Sequence, residues 1–124
     1  SSSVLAIQAQ RLVRRACIDC ASISPISADE LAVLQISREQ CPEINRGLGC
    51  ESCGHTGYRG RVGLYELLLI SDAIRRHVAS GADANVIRHE AIRAGMRTLR
   101  EDALDKLKAG LTTPEEVVRV TRAL

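Results

Sequence analysis

Apolar residues in the first part of the chain are interspersed with glutamine and arginine, and these two polar residues are good helix formers. This composition predicts a helix over residues 1–16, with Ser1 to Ser3 available to cap its first turn. The pattern Ser27-Ala-Asp-Glu30 is a capping box and predicts a second, short helix. Pro25 and Pro42 bound that helix, and the fold of segment 21–48 is otherwise left open.

The pattern changes after Gly54, where residues typical of strands replace the helical composition. Residues 56–59, a turn at Gly60 and the apolar-rich run 61–70 predict a β-hairpin or a short strand pair. The end of this run, Leu67 to Ile70, is apolar throughout and is expected to be buried.

From Ser71 onward, helix start and stop signals alternate. The expected caps are Ser71, Asp83, Thr98 and Thr113, and Pro114 stands at a first helical position. Glycines end three of the segments, at positions 81, 95 and 110. The pattern predicts four helices of about 8 to 12 residues whose short connections make neighbours pack antiparallel or at steep angles.

Two Cys-x-x-Cys pairs carry the most specific chemistry of the sequence. Cys17 and Cys20 form the first, and Cys50 and Cys53 the second. Pairs of this kind are typical of one tetrahedral zinc site with four thiolate ligands. A redox-active dithiol and a pair of disulfides are the alternatives. Gly54 suits the positive φ that a metal-binding turn often needs, whereas Ala21 follows the first pair.

Other titratable residues have simpler explanations. Cys41 is the odd cysteine of five and is expected to be a free, buried thiol, although it could replace a ligand. His55 lies beside the second pair, where a further ligand is unnecessary. His77 and His89 lie on predicted helices and are expected at or near the surface. Glu66 is expected to be a buried, paired carboxylate. We therefore assign no catalytic residue.

Composition limits the size of the core and the classes of partner. The 124 residues include no Phe, no Trp and only two Tyr, so aliphatic side chains must form the core, which a metal site would help to stabilise. The net charge of +2 is evenly mixed along the chain. Neither half therefore resembles a nucleic-acid-binding surface. No apolar run is long enough to span a membrane.

The predicted fold is mainly α with a small zinc-braced β-hairpin, in which a four-cysteine subdomain precedes a small helical subdomain. We expect three parts: residues 1–16 as the end of an upstream domain, 17–66 as the zinc subdomain and 67–124 as the helical subdomain. Tyr58, Arg59 and Arg61 surround the Gly60 turn. They form either a solvated turn or a docking tip for an acidic partner.

Four motifs together resemble a known family. They are Ala9-Gln-Arg-Leu-Val-Arg-Arg15 before the first cysteine pair, Gly49-Cys-x-x-Cys-Gly-His-Thr-Gly-Tyr-Arg-Gly-Arg-Val-Gly-Leu-Tyr-Glu-Leu-Leu68, Gly95-Met-Arg-Thr-Leu-Arg-Glu-Asp-Ala-Leu104 and Gly110-Leu-Thr-Thr-Pro-Glu-Glu-Val-Val-Arg-Val-Thr121. Their order is similar to the C-terminal region of the type II secretion and type IV pilus assembly ATPases, the general secretory pathway protein E family. The resemblance covers nearly the whole chain.

The resemblance implies a hexameric, RecA-like motor whose ATP- and Mg²⁺-binding domain would precede Ser1. It implies structural zinc on the four paired cysteines and a C-terminal helical subdomain packed on the motor. The partners it implies are neighbouring subunits of a homo-hexamer and inner-membrane platform and adaptor proteins, and the location is the cytoplasmic face of the inner membrane. Secretion and pilus systems share these motifs, so the sequence does not separate them.

Three other classes fit less of the sequence. A chaperone zinc module of the DnaJ type would need glycines after each pair, but only Gly57 matches and His55 replaces the other. A nucleic-acid-binding zinc ribbon would need a basic face and stacking aromatic residues. A thiol oxidoreductase would need one cysteine of low pKa near a helix N-terminus, and two paired knuckles favour a metal instead.

Overall fold

The computed structural model describes residues 5–122. Within that range the elements are two two-stranded antiparallel sheets, five α-helices and one 3-10 turn. Helix accounts for 39% and strand for 29%, so the expectation of a mainly α fold is met only in part. In order, the elements are β1 (Leu5–Ala16), β2 (Ala21–Pro25), α1 (Ala28–Leu34), β3 (Glu43–Gly47), the 3-10 turn (Glu51–Cys53), β4 (Tyr58–Ile70), α2 (Asp72–Ala79), α3 (Ala84–Arg93), α4 (Leu99–Lys108) and α5 (Pro114–Thr121).

The helix predicted over residues 1–16 is wrong where the chain is described, because Leu5–Ala16 is a strand. It pairs antiparallel with β4, from Leu5 opposite Ile70 to Ala16 opposite Tyr58. This partner lies more than forty positions away, and such long-range pairing overrides local helix propensity. The proposed serine cap, Ser1 to Ser3, lies outside the described residues.

The hairpin predicted over residues 56–70 is also wrong. Tyr58–Ile70 is one continuous strand, and its partner is β1 rather than a neighbouring segment. Gly60 does adopt a positive φ of 81°, but it lies inside the strand. The register shifts between Arg14 and Ala16, opposite this part of β4, so the glycine accompanies a bulge instead of a hairpin turn.

The short helix and the four later helices are confirmed. Ser27 and Glu30 form the expected capping box at α1. The side chains of Ser71, Asp83, Thr98 and Thr113 each accept a backbone N–H at the start of α2 to α5. The open segment between the cysteine pairs folds as β2, α1 and β3, with β2 and β3 forming the second sheet.

One hydrophobic core is built from both halves of the chain. Val13 and Leu64 from the long strand pair meet Leu107 and Val117 from α4 and α5, and all four are fully buried. The other members of this buried cluster are Ile26, Leu34, Cys41, Ile44, Leu99, Ala103 and Val120. Because no aromatic side chain contributes, the core depends on close packing of aliphatic residues.

Helix α5 and the turn before it cover the outer edge of β1. The backbone N–H of Arg14 donates to Glu116 at 2.7 Å, and its carbonyl accepts from the Thr112 hydroxyl at 2.7 Å. The N–H of Ala16 donates to the carbonyl of Leu111 at 3.0 Å. These bonds satisfy backbone N–H and C=O groups on the edge of β1 that faces away from β4. They also hold α5 and the preceding turn against the end of β1 that leads into Cys17.

No helix in the described part of the chain is long and apolar enough to cross a membrane. The division into residues 1–16, 17–66 and 67–124 remains a prediction.

Candidate metal centre

The two cysteine pairs come together at the end of the long strand pair. Cys17 follows β1 directly, Cys50 immediately precedes the 3-10 turn before β4, and Cys53 is the last residue of that turn. Because β1 and β4 are paired along their length, their ends bring the two knuckles to the same place. The strand pair β2–β3 closes the site from the other side, since the N–H of Leu48 donates to the carbonyl of Cys20 at 3.0 Å.

The four sulfur atoms all lie within 4.8 Å of one another. The Sγ atoms of Cys17 and Cys50, of Cys20 and Cys53, and of Cys50 and Cys53 are each 3.8 Å apart. Four thiolates at the usual zinc–sulfur distance of about 2.3 Å, arranged as a tetrahedron, have sulfur–sulfur spacings of about 3.8 Å. All four cysteines are free, and this spacing fits a metal rather than disulfide bonds.

Backbone amides point at the sulfurs, as a thiolate site requires. Gly49 donates its N–H to the Cys20 sulfur at 3.3 Å, and Cys50 and Gly57 donate to the Cys53 sulfur at 3.3 and 3.2 Å. Gly54 has the positive φ that was expected after the second pair, 61°. Four thiolates would bring four negative charges to a divalent ion, and N–H donors offset part of that charge.

The thiol pKa values differ across the site. Burial opposes ionisation of Cys53, but the N–H groups of Cys50 and Gly57 outweigh it and lower its pKa to about 6. Burial raises the pKa of the Cys20 thiol to about 12, although the Gly49 N–H acts against it. The lowered pKa of Cys53 favours its thiolate, whereas a nearby cation would be needed to hold Cys20 as a thiolate.

Three titratable residues that were not assigned to the metal site lie where they were expected. Cys41 is buried in the hydrophobic core, where its thiol donates to the carbonyl of Glu43 at 3.3 Å. His55 is exposed and is not part of the four-sulfur group. Glu66 pairs with Arg88 at 3.0 Å and its side chain is 12% exposed, so the prediction of a paired, largely buried carboxylate is confirmed.

The residues of the predicted docking tip lie on the first part of β4. The Tyr58 hydroxyl hydrogen-bonds the Thr113 hydroxyl at 2.7 Å, and the Arg14 guanidinium lies 4.0 Å from the centre of its ring. Arg59 forms an ion pair with Asp19 at 3.2 Å. Arg61 is exposed opposite Arg14. No hairpin turn projects them, and their role in partner binding stays a prediction.

The turn between α4 and α5 is also part of this site, which the sequence did not indicate. Its residues contact the groups that flank the cysteines: the Asn45 side-chain amide donates to the Gly110 carbonyl at 2.9 Å, and Thr113 bonds Tyr58 as above. Leu111 and Thr112 bond to β1, so each of the four residues 110–113 is bonded to β1, β3 or β4. We call residues 110–113 the clamped turn. Its Gly-x-Thr-Thr sequence signalled only a helix start.

Comparison with known proteins gives one consistent relationship. A protein-family model described as Type II/IV secretion system protein matches residues 1–119. The chain is 43% identical to type II secretion system protein E of Aeromonas hydrophila, 39% identical to the type II secretion system ATPase E of Vibrio cholerae, and 42% identical to the type IV pilus assembly ATPase PilB of Thermus thermophilus.

Each of these matches covers 98% of the chain, but only 24%, 24% and 14% of the respective relative. The chain therefore spans a quarter or less of the length of these relatives. The family match nevertheless includes both cysteine pairs, the long strand pair, helices α1 to α4 and most of α5. The chain belongs to the Type II/IV secretion system protein family.

Proposed function

We propose that this chain is a non-catalytic, zinc-binding and helical region of a hexameric secretion or pilus-assembly ATPase. Its role is to brace the motor and to transmit the work of ATP hydrolysis to inner-membrane platform and adaptor proteins. Zinc is structural and is held by Cys17, Cys20, Cys50 and Cys53. ATP and Mg²⁺ bind elsewhere in the whole protein, which works at the cytoplasmic face of the inner membrane.

The clamped turn is the feature of the structure that supports the bracing role. Residues 110–113 bond to β3 and to the ends of β1 and β4 that lead to the cysteines, so one hydrogen-bonded turn connects the metal centre with α5. A metal that fixes the ends of β1 and β4 therefore fixes α5 as well. Four thiolates leave no coordination position for substrate, which suits a structural role rather than a catalytic one.

An additional ion-pair network ties the zinc segment to both of its neighbouring helices. Arg46 on β3 pairs with Glu30 on α1 and with Glu115 on α5. The arginine is only 34% exposed, and its planar guanidinium can engage both carboxylates at once. A force applied to α5 would thus pass to β3 and to the knuckle that follows it.

The proposed docking surface for a partner consists of Tyr58, Arg59 and Arg61. Two of these side chains already have partners in the fold, while Arg61 has no ion pair among residues 5–122. Arg61 is thus the side chain best placed to meet an acidic surface of a neighbouring subunit or adaptor protein.

Hydrogen exchange tests the bracing role. When zinc is removed with a chelator, we expect exchange of the α5 amides to accelerate at least tenfold, because the ends of β1 and β4 no longer hold the clamped turn. Amides of α3 are the internal control, since that helix packs on α2 rather than on the clamped turn. Unchanged α5 protection after verified loss of zinc would refute the proposal.

The coupling role can be tested with variants of the whole protein. The Tyr58→Phe variant removes only the hydroxyl that bonds Thr113, so we expect ATP binding to be retained and secretion or pilus assembly to fall. Tyr65→Phe is the matched control, because within residues 5–122 the Tyr65 hydroxyl hydrogen-bonds the exposed Gln10 side chain, at 3.4 Å, rather than the clamped turn. Equal transport by both variants would argue against transmission through the clamped turn.

A further inference from the structure

Gly47 and Gly57 form a backbone-to-backbone contact beside the four cysteines. A Cβ atom added to Gly47 would lie 2.2 Å from the carbonyl oxygen of Gly57, and one added to Gly57 would lie 2.5 Å from the carbonyl oxygen of Gly47. Both distances are far shorter than any ordinary carbon–oxygen contact. The two segments can approach this closely only because neither residue has a side chain.

Gly57 is bonded to both cysteine pairs. Its N–H donates to the Cys53 sulfur at 3.2 Å, and its carbonyl accepts the N–H of Cys17 at 2.9 Å. One peptide segment thus holds a sulfur of the second pair and the backbone of the first. Any shift of Gly57 moves the donor to Cys53 and the position of Cys17 together.

Gly47 has a corresponding position beside Cys20. It is the last residue of β3 and pairs with Ala21, the neighbour of Cys20. The next residues, Leu48 and Gly49, donate to the Cys20 carbonyl at 3.0 Å and to the Cys20 sulfur at 3.3 Å. A displacement of Gly47 would therefore be passed directly to the backbone around Cys20.

We infer that the Gly47–Gly57 contact is a positioning element that holds the two knuckles at metal-ligand spacing and so sets the affinity and geometry of the bound metal. The inference rests on the proposed metal site. Groups that orient ligands typically change metal affinity by about 10–100-fold when they are altered. The two glycines are thus positioning residues for the metal although neither provides a ligand.

The test compares three glycine-to-alanine variants of this chain, each loaded with Zn²⁺ and, separately, with Co²⁺. Gly47→Ala introduces the clash without backbone strain of its own, because Gly47 has no left-handed φ. Gly57→Ala introduces the clash at a φ of 81°. Gly60→Ala is the matched control, since Gly60 has the same φ of 81° but nothing within 4 Å of an added Cβ.

We expect Gly47→Ala and Gly57→Ala to lose at least tenfold in Zn²⁺ affinity, measured by competition with a chromophoric chelator. Their Co²⁺ absorption bands should depart from those of a regular four-thiolate site. Gly60→Ala should retain both the wild-type affinity and the wild-type bands. The helical circular dichroism signal of each variant is recorded in parallel.

Wild-type Zn²⁺ affinity and Co²⁺ bands in Gly47→Ala would overturn the inference. An equal loss in Gly60→Ala would also overturn it, because the effect would then arise from backbone strain. So would loss of the helical signal in Gly47→Ala, which would make the contact a general fold requirement. Absence of metal from the wild-type chain is a different result and would refute the metal site itself.

Discussion

The Cys50→Ser variant is expected to lose its zinc and more than about 4 kcal/mol of folding free energy. The binding free energy of a structural zinc is folding free energy, and the Cys50 sulfur lies 3.8 Å from those of both Cys17 and Cys53. Because the same core contains Val13, Leu64 and Val117, the loss should spread from the zinc segment to α4 and α5. Metal analysis and urea denaturation followed by far-UV circular dichroism measure both effects.

Cys41→Ser is the control for this substitution. It makes the same chemical change at a cysteine that is 1% exposed and outside the four-sulfur group. We expect it to retain one zinc and to cost about 1–3 kcal/mol, the usual price of a poorly paired buried hydroxyl. A Cys50→Ser variant with an unchanged free energy of unfolding would contradict the structural role of the metal.

Glu116→Gln is expected to cost about 2–3 kcal/mol of stability at neutral pH. Glu116 is 1% exposed and accepts the backbone N–H of Arg14 at 2.7 Å and two bonds from Arg119 at 2.9 Å. A glutamine keeps the shape but removes the charge that these groups pair. The carboxylate that joins α5 to β1 would thus be replaced by a neutral amide, which is a weaker acceptor for the two neighbouring arginines.

The same residue predicts how stability depends on pH. Burial opposes ionisation of Glu116, but hydrogen bonds from Arg119 and Arg14 outweigh it and lower its pKa from 4.5 to about 2. Since the folded-state pKa is depressed, its stabilising contribution is complete above about pH 4.5 and is lost as pH falls toward 2. The free energy of unfolding of the wild type should therefore fall more steeply in this range than that of Glu116→Gln.

Glu115→Gln provides the matched control on the neighbouring position of α5. Glu115 has a 56% exposed side chain and pairs with Arg46. Solvent screens exposed pairs of this kind, so we expect a cost below about 1 kcal/mol. Equal costs for Glu115→Gln and Glu116→Gln, or parallel pH profiles for Glu116→Gln and wild type, would refute the assigned role of Glu116.

The helical half could be predicted well because its signals are local. Caps such as Ser71 and Thr98 act within one helical turn, and the glycines at 81, 95 and 110 adopt the positive φ that commonly follows a helix end. No distant residue is needed to interpret these signals. The sequence was accordingly sufficient for the existence, order and approximate length of α2 to α5.

The strand pair could not be predicted in the same way, because its two strands are far apart in sequence. Residues 5–16 contain helix formers, and only the pairing with β4 makes them a strand. In retrospect, Ile7, Ala9 and Val13 occupy alternate positions that share one face of β1. Gly60 was recognised as special, but its φ serves a bulge that only the partner strand reveals.

The grouping of the four cysteines could be predicted from the sequence, whereas the contacts that hold them together could not. Cys-x-x-Cys spacing indicated four candidate ligands, and their sulfurs do lie together. The contact between Gly47 and Gly57 and the bonds of Thr113 depend on segments distant in sequence. The pattern Thr113-Pro-Glu-Glu116 is typical of a capping box, but the sequence did not indicate that the Glu116 carboxylate bonds β1 and Arg119.

The proposed zinc centre is tested by measuring the metal content per chain together with a thiol titration of the same sample in denaturant and chelator. We expect one zinc per chain and five titratable thiols, four from the site and one from Cys41. Five thiols without metal would contradict a zinc-braced region. A single titratable thiol would show two disulfides and would also contradict it.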